Sequence, residues 1–443
     1  MGGIDTYTLI IGISFVIIVS FFFNILSKKT NIPSVLMLIV LGVILKEFIP
    51  GHYKIDDYAN LSTMEIIGNV GLVMIVLEAA LDLHLSRDKR KLIVHSFLVA
   101  LIALVGSSLA IATLIYFIIP GASESFHNCL VYAVPLSIMS SAIIIPSVGG
   151  LTGPKKEFMV YESTFSDILG IMFFYFLIGT EAGASAQSIV MDIGLNILVT
   201  IVVSIVLAYA LVFIFQRLTS QVKLFLVISV LLLMYALGKK LHLSSLLIIL
   251  AFGLVLNNTA IFFRGKRMQS WVNDEKVKPI LHDFHILTLE SAFVIRTFFF
   301  VIFGMFITLN SITDVDVAIA SVGILLSLYG VRFAVLKLIV RKDITPQLYI
   351  APRGLITILL FFVIGAHKQY TIDKFDPGIL LFVILITSLV MTVALIIYRG
   401  EKVRDVLLSQ LPRLKIDKDK DGINDEYEDE VEKNVEEQDF NQF

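Results

Sequence analysis

The sequence predicts an all-α membrane protein of about 13 transmembrane helices, built as inverted-topology repeats with two broken crossing helices. Three observations predict it. Of 443 residues, 57% are hydrophobic and 16% charged, against about 25% charged in soluble proteins. With a mean hydropathy of +0.88, this excludes an ordinary soluble enzyme. Thirteen apolar stretches are each long enough to cross a hydrocarbon core about 30 Å thick. Two of these stretches are interrupted by helix breakers.

In chain order the expected spans are 6–26, 33–48, 63–84, 91–118, 128–150, 157–181, 187–216, 222–238, 244–263, 286–309, 316–340, 346–366 and 378–399. The first follows MGGIDTYTLI, which lacks the basic region and cleavage site of a secretory signal, so it reads as a retained helix. Gly2 and Thr6 have the form of a myristoylation signal, redundant beside thirteen spans. Alternate loops carry Lys28/Lys29, Arg87–Lys91, Lys155/Lys156, Arg217/Lys223, five basic residues in 264–285, Arg341/Lys342 and Arg399/Lys402/Arg404. That is twenty basic residues on one side against six on the other. The bias places the N-terminus outside and the C-terminus in the cytoplasm of a cell (inner) membrane.

Pro135 and Ser140-Ser141 before Pro146 interrupt the fifth span, and Pro352-Arg353-Gly354 the twelfth. The two lie seven helices apart in chain order. An odd separation gives opposite orientations in the bilayer, as an inverted repeat requires, and paired interrupted helices point to a transporter's midplane site. Unwound backbone there exposes carbonyls and half-helix ends as ligands. Ordinary proline kinks are the alternative.

A charge at the centre of a membrane helix costs at least ~2.5 kcal/mol, so each needs a partner or a task. Glu162 and Asp167 lie in the sixth span, five helical steps and therefore about 140° apart, too far round the helix to share one ion. Arg332, Arg296 and Arg353 are the candidate counter-charges. A Glu162–Arg332 pair would be a permanent clamp, because arginine stays protonated and can hold a carboxylate through two parallel bonds. Asp167 is then left without a fixed cation. Such a carboxylate can hold a proton and release it when a cation arrives, the minimum equipment for exchanging one against the other. Glu78 and Asp82, at i and i+4 on the third span, share one face. They either draw cations into an inward funnel or snorkel to Arg87–Lys91.

These residues carry a resemblance. Glu162-Ser163-Thr164-Phe165-Ser166-Asp167 resembles the ES-x-x-N-D signature of the monovalent cation:proton antiporter superfamily, in its sodium/proton branch. Collinear with it, MSSAIIIP at 139–146 lies where that family unwinds a helix, TFFFVIFGMFI at 297–307 resembles its FF-x-x-x-G segment, and APRGL at 351–355 is similar to its second break. Arg332 falls in the expected helix. The likeness spans about residues 8 to 400. Ser166 departs from it, standing where most sodium/proton members carry Asn, or a second Asp in the electrogenic branch. Ser140 and Ser141 replace a Thr-Asp and look more like the potassium-efflux branch, yet no G-x-G-x-x-G follows the last span.

The resemblance implies Asp167 as cation and proton carrier, with Ser163, Ser166, Ser140, Ser141 and the unwound backbone at 140–142 as neutral ligands, and Glu162 with Arg332 as a structural pair. It implies a transmembrane domain over 1–400, with a mobile core of about 91–181 and 316–399 moving against a dimeric scaffold. Glu78, Asp82, Arg296 and Arg353 are accessory charges. The expected activity is electroneutral exchange of a monovalent cation, Na+ first (Li+ included) or K+ as alternative, for H+, in pH homeostasis and without a required cofactor. A channel or sensor would need a symmetric pore and filter-like repeat. A membrane enzyme would need several polar catalytic groups at one depth.

Residues 401–443 form an acidic tail: from Ile416 onward, twelve acids and three lysines give a net charge of −9. Within it Asp417, Asp419, Asp421, Ile423, Asp425 and Glu428 follow the ligand spacing of a calcium loop over 417–428, with Gly422 at the turn. A solvated acidic end is the alternative reading. His282, Asp283 and His285 offer a partial metal site or, more simply, a surface cluster. The lone Cys129 excludes an intramolecular disulfide and a thiolate cage. No nucleophile motif, phosphate loop or basic stripe for nucleic acid is present.

Overall fold

The computed structural model describes residues 6–30, 32–48, 58–83, 85, 88–119, 121–122, 125–151, 153–179, 199, 202–210, 213, 223–240, 245–262, 274–306, 314–341, 344–372 and 374–410. Among them every regular element is helical: α1 (Thr6–Thr30), α2 (Ser34–Phe48), α3 (Tyr58–Asp82), α4 (Arg90–Ile118), α5 (Phe126–Ser137), α6 (Ser141–Ser147), α7 (Gly153–Gly179), α8 (Lys223–Lys240), α9 (Ser245–Asn257), α10 (Thr259–Phe262), α11 (Asp274–Phe306), α12 (Val315–Ile339), α13 (Leu355–Ala366) and α14 (Gly378–Gln410), besides short 3-10 turns. Seven candidate membrane spans and four shorter apolar helices are found among the described residues. Each expected span coincides with a helix except 187–216, where only 199, 202–210 and 213 are described. The calcium-loop residues of the tail lie outside the described residues.

Three expectations of detail change. Pro135 and Pro146 sit inside α5 and α6, and the chain leaves helical geometry between them, at 138–140. The second interruption is lopsided: 345–349 form turns, and a helix follows only from Leu355. The 264–285 segment, read as a loop, is helical from Asp274, because a hydropathy window marks apolar length while α11 runs on past its apolar part.

Burial is inverted relative to a soluble protein. Phe15, Phe22, Leu326 and Ile397 face outward, whereas Glu162, Asp167, Arg332 and Arg353 are buried. Where the surrounding solvent is hydrocarbon, polar groups must find partners inside. Helix packing falls into two groups, α4, α5, α7, α12 and α14 in one, and α1, α2, α3, α8, α9 and α11 in the other. Within the second, α2 and α11 cross at Gly42 and Gly304. A Cβ on Gly42 would lie 2.1 Å from the Val301 carbonyl oxygen, and one on Gly304 2.2 Å from that of Ile39. The crossing is backbone against backbone, the close approach small residues allow between membrane helices. In the first group, Cys129 is fully buried on α5 and donates its thiol hydrogen to the Ala122 carbonyl at 3.2 Å.

Candidate functional site

The two breaks leave backbone groups without helical partners, and each must be met from within the protein. At the first break, Met139 N donates to Ser166 Oγ (2.9 Å), Ser140 N to the Pro352 carbonyl of the second break (2.9 Å), and Ser141 N to Asp167 Oδ2 (3.1 Å). The Leu136 and Ser137 carbonyls, at the end of α5, accept from Arg353 Nε (2.8 Å) and Nη2 (3.4 Å). Arg353 Nη1 also donates to the Ala351 carbonyl, and Arg353 N donates to Thr387 Oγ1 at 3.1 Å. A cation at a helix C-terminus is favoured by the carbonyls that point at it. The two breaks touch closely enough that a Cβ on Gly354 would lie 2.6 Å from Ser140 Oγ and 2.8 Å from Ile143 Cδ1, so a side chain there would have to displace them.

Arg332 on α12 holds Glu162 through both carboxylate oxygens, Nη1 to Oε1 at 2.6 Å and Nη2 to Oε2 at 3.1 Å. Its remaining donors reach the carbonyls of Gln347 (2.7 and 3.1 Å) and Leu348 (3.1 Å), ahead of the second break. This is bidentate charge-assisted bonding, with the leftover donors filled. Arg296 and Arg353 do not serve the carboxylates of α7. Arg296 pairs with Glu78 at 3.1 Å, because α11 packs along α3, and Arg353 is occupied by carbonyls. Asp82 pairs with His285 at 2.7 Å. Neither acid of α3 bonds to Lys89, Arg90 or Lys91; Lys89 instead pairs with Glu157 at 2.6 Å, and that bond raises its pKa.

Asp167 is different. It is 2% exposed, one oxygen is fixed by the Ser141 N–H, and the other, Oδ1, has no hydrogen-bond partner among the described residues. An acceptor oxygen left open in a buried site can take a proton or a cation. Ser163 donates its hydroxyl hydrogen to the Val160 carbonyl of its own helix at 3.2 Å, which leaves it lone pairs to offer. Ser166 lies on the Glu162 face of α7, its lone pair on Met139 N–H. A cavity of about 200 Å3 reaches the site from between α1, α2, α3 and α11, lined by Asn24, Glu78, Asp82, Ser141, Arg296 and Thr297 among others. Ser141 thus belongs both to the cavity wall and to the Asp167 carboxylate.

A model of the family described as sodium/hydrogen exchanger, transmembrane, matches residues 15–398. The chain belongs to the sodium/hydrogen exchanger family. This exchanger is therefore a multi-pass membrane protein and a secondary transporter rather than an enzyme. Its fold is similar to that of the sodium proton antiporter MjNhaP1 from Methanocaldococcus jannaschii at pH 8, with a TM-score of 0.64 and 20% identity over 88% of this chain and 96% of that one. An electron-microscopy structure of the same antiporter gives a TM-score of 0.64 and 19% identity, over 93% of this chain and 100% of the other. No curated protein matches the chain.

Sequence reasoning missed the backbone half of the site: the Pro352, Gln347, Leu136 and Ser137 carbonyls have no signature in residue type. Asn24 and Thr297 on the cavity wall had a signal, as polar residues inside apolar spans. Among the described residues no group of three or more His, Cys, Asp or Glu is placed to hold a metal ion, and the His285 of the expected cluster is engaged by Asp82.

Proposed function

We propose that this exchanger moves Na+ against H+ by alternating access around Asp167, one cation for one proton. The observation that carries the reading is the open Oδ1 of a buried carboxylate placed where the two breaks meet. Membership of the sodium/hydrogen exchanger family supports it, as does the cavity leading to Ser141. Glu162 is neutralised by Arg332, so a single carboxylate alternates between cation and proton, and no net charge crosses per cycle. The first packing group would move against the second in a homodimer, with the C-terminus cytoplasmic. Serines at 140 and 141 support K+ as a second reading.

The test is proton flux in liposomes pulsed with Na+ or K+. Asp167→Asn should abolish cation-dependent flux while expression and particle size are unchanged, and persistent exchange in that variant would defeat the assignment. The parent chain should respond to the pulse equally with and without an imposed potential; each charge moved would otherwise contribute about 2.3 kcal/mol per 100 mV.

A further inference from the structure

Behind the Glu162 face of α7 lies a second, smaller cavity of about 20 Å3, set apart from Asp167. Six polar side chains line it, Ser107, Ser137, Glu162, Ser166, Arg332 and Arg353, each at most 4% exposed. Its volume exceeds the roughly 10–15 Å3 that one water needs on this measure.

The hydrogen bonds of these side chains define what fits. A guanidinium has five N–H donors, and Arg353 finds three acceptors, the one at Ser137 at a long 3.4 Å. Ser166 accepts from Met139 N, and its own hydroxyl hydrogen has no acceptor among the described residues. Ser107 and Ser137 have the opposite need. Their hydroxyl hydrogens go to the Ala103 and Ala133 carbonyls of their own helices, so they offer the cavity only lone pairs. Buried groups of this kind are paired in native proteins, often by ordered water.

We infer that this cavity binds one structural water, which accepts from Arg353 and Ser166 and donates to Ser107 and Ser137. A small anion would satisfy the donors but would face two serine lone pairs and the Glu162 carboxylate. A cation would face two guanidinium groups. Water alone has both kinds of valence. Bound there it ties Ser166, which clamps the first break, to Arg353 of the second, and it occupies the space that a larger amide side chain at 166 would fill.

A structure of the full-length protein, at a resolution where ordered solvent is visible, tests this directly. One solvent peak is expected within hydrogen-bonding distance of the Arg353 guanidinium and Ser166 Oγ, with no anomalous peak there after exchange into bromide. No peak at this position while other buried waters are seen, or a bromide peak, overturns the inference. Ser166→Asn should displace the water and melt no lower than the parent chain; a fall of several degrees would show that the cavity does not accept the amide and would count against it. Both readouts are independent of transport, so they stand apart from the assignment of Asp167.

Discussion

Glu162–Arg332 and Glu78–Arg296 are the same chemical pair in two settings. The first is sealed between α7 and α12, with side chains 1% and 5% exposed and two parallel bonds. The second borders the large cavity, 10% and 19% exposed, through a contact at 3.1 Å. Two further pairs are more exposed still, at 25% and 32% for Asp82–His285 and 39% and 44% for Glu157–Lys89. Exposure decides what a pair is for. A sealed pair cannot be rehydrated when broken, so it behaves as structure, whereas a pair on a cavity wall can exchange its partner for water or a passing ion.

The comparison can be broken at its sealed end first. Glu162→Gln or Arg332→Gln leaves one buried charge without compensation and should cost about 3 to 5 kcal/mol, read as thermal unfolding in detergent, whereas the double variant should regain part of the loss. Additive losses would mean that the pair contributes nothing as a pair. At the cavity, Glu78→Gln should cost less, about 1 to 3 kcal/mol, since Arg296 keeps access to water. It should also raise the half-saturating cation concentration, most strongly at low ionic strength, because a wall carboxylate attracts cations over a screened range. A loss of stability as large as that of the sealed pair would erase the distinction. The smallest effect belongs to Lys89→Ala. The pKa of Lys89 is raised by its bond to Glu157, so the pair's contribution is full below the ordinary lysine value and is lost only as pH rises through the raised one. Across the physiological range the variant should melt close to the parent chain, with no pH dependence of the difference.

Much of this arrangement could be read in advance, for unequal reasons. Apolar runs such as 91–118 must be helices once hydrocarbon is the solvent, so the architecture was legible. Glu162 and Arg332 stood out because isolated charges in apolar spans are few, and the structure sets them 2.6 Å apart. The partner of Arg296 was not legible, since nothing along α11 says that its arginine faces α3 rather than α7. Nor was the task of Arg353, whose acceptors are carbonyls common to every residue. Prolines were poor guides to the first break: helices α5 and α6 each contain one. The position of the break follows instead from where Ser166, Asp167 and Pro352 offer acceptors for three successive N–H groups.

The setting of Cys129 bears on how motion in this protein can be observed. It is the chain's single thiol, it is fully buried, and its hydrogen is engaged by Ala122. Alkylating reagents act on exposed thiolates, so the wild-type chain already serves as a silent background for site-directed labelling. A cysteine introduced at Ile145 on α6 or at Leu289 on α11, two helices that both line the large cavity, would be the one reactive position in the molecule. Its modification rate, with and without Na+, would report which wall of the cavity opens to water.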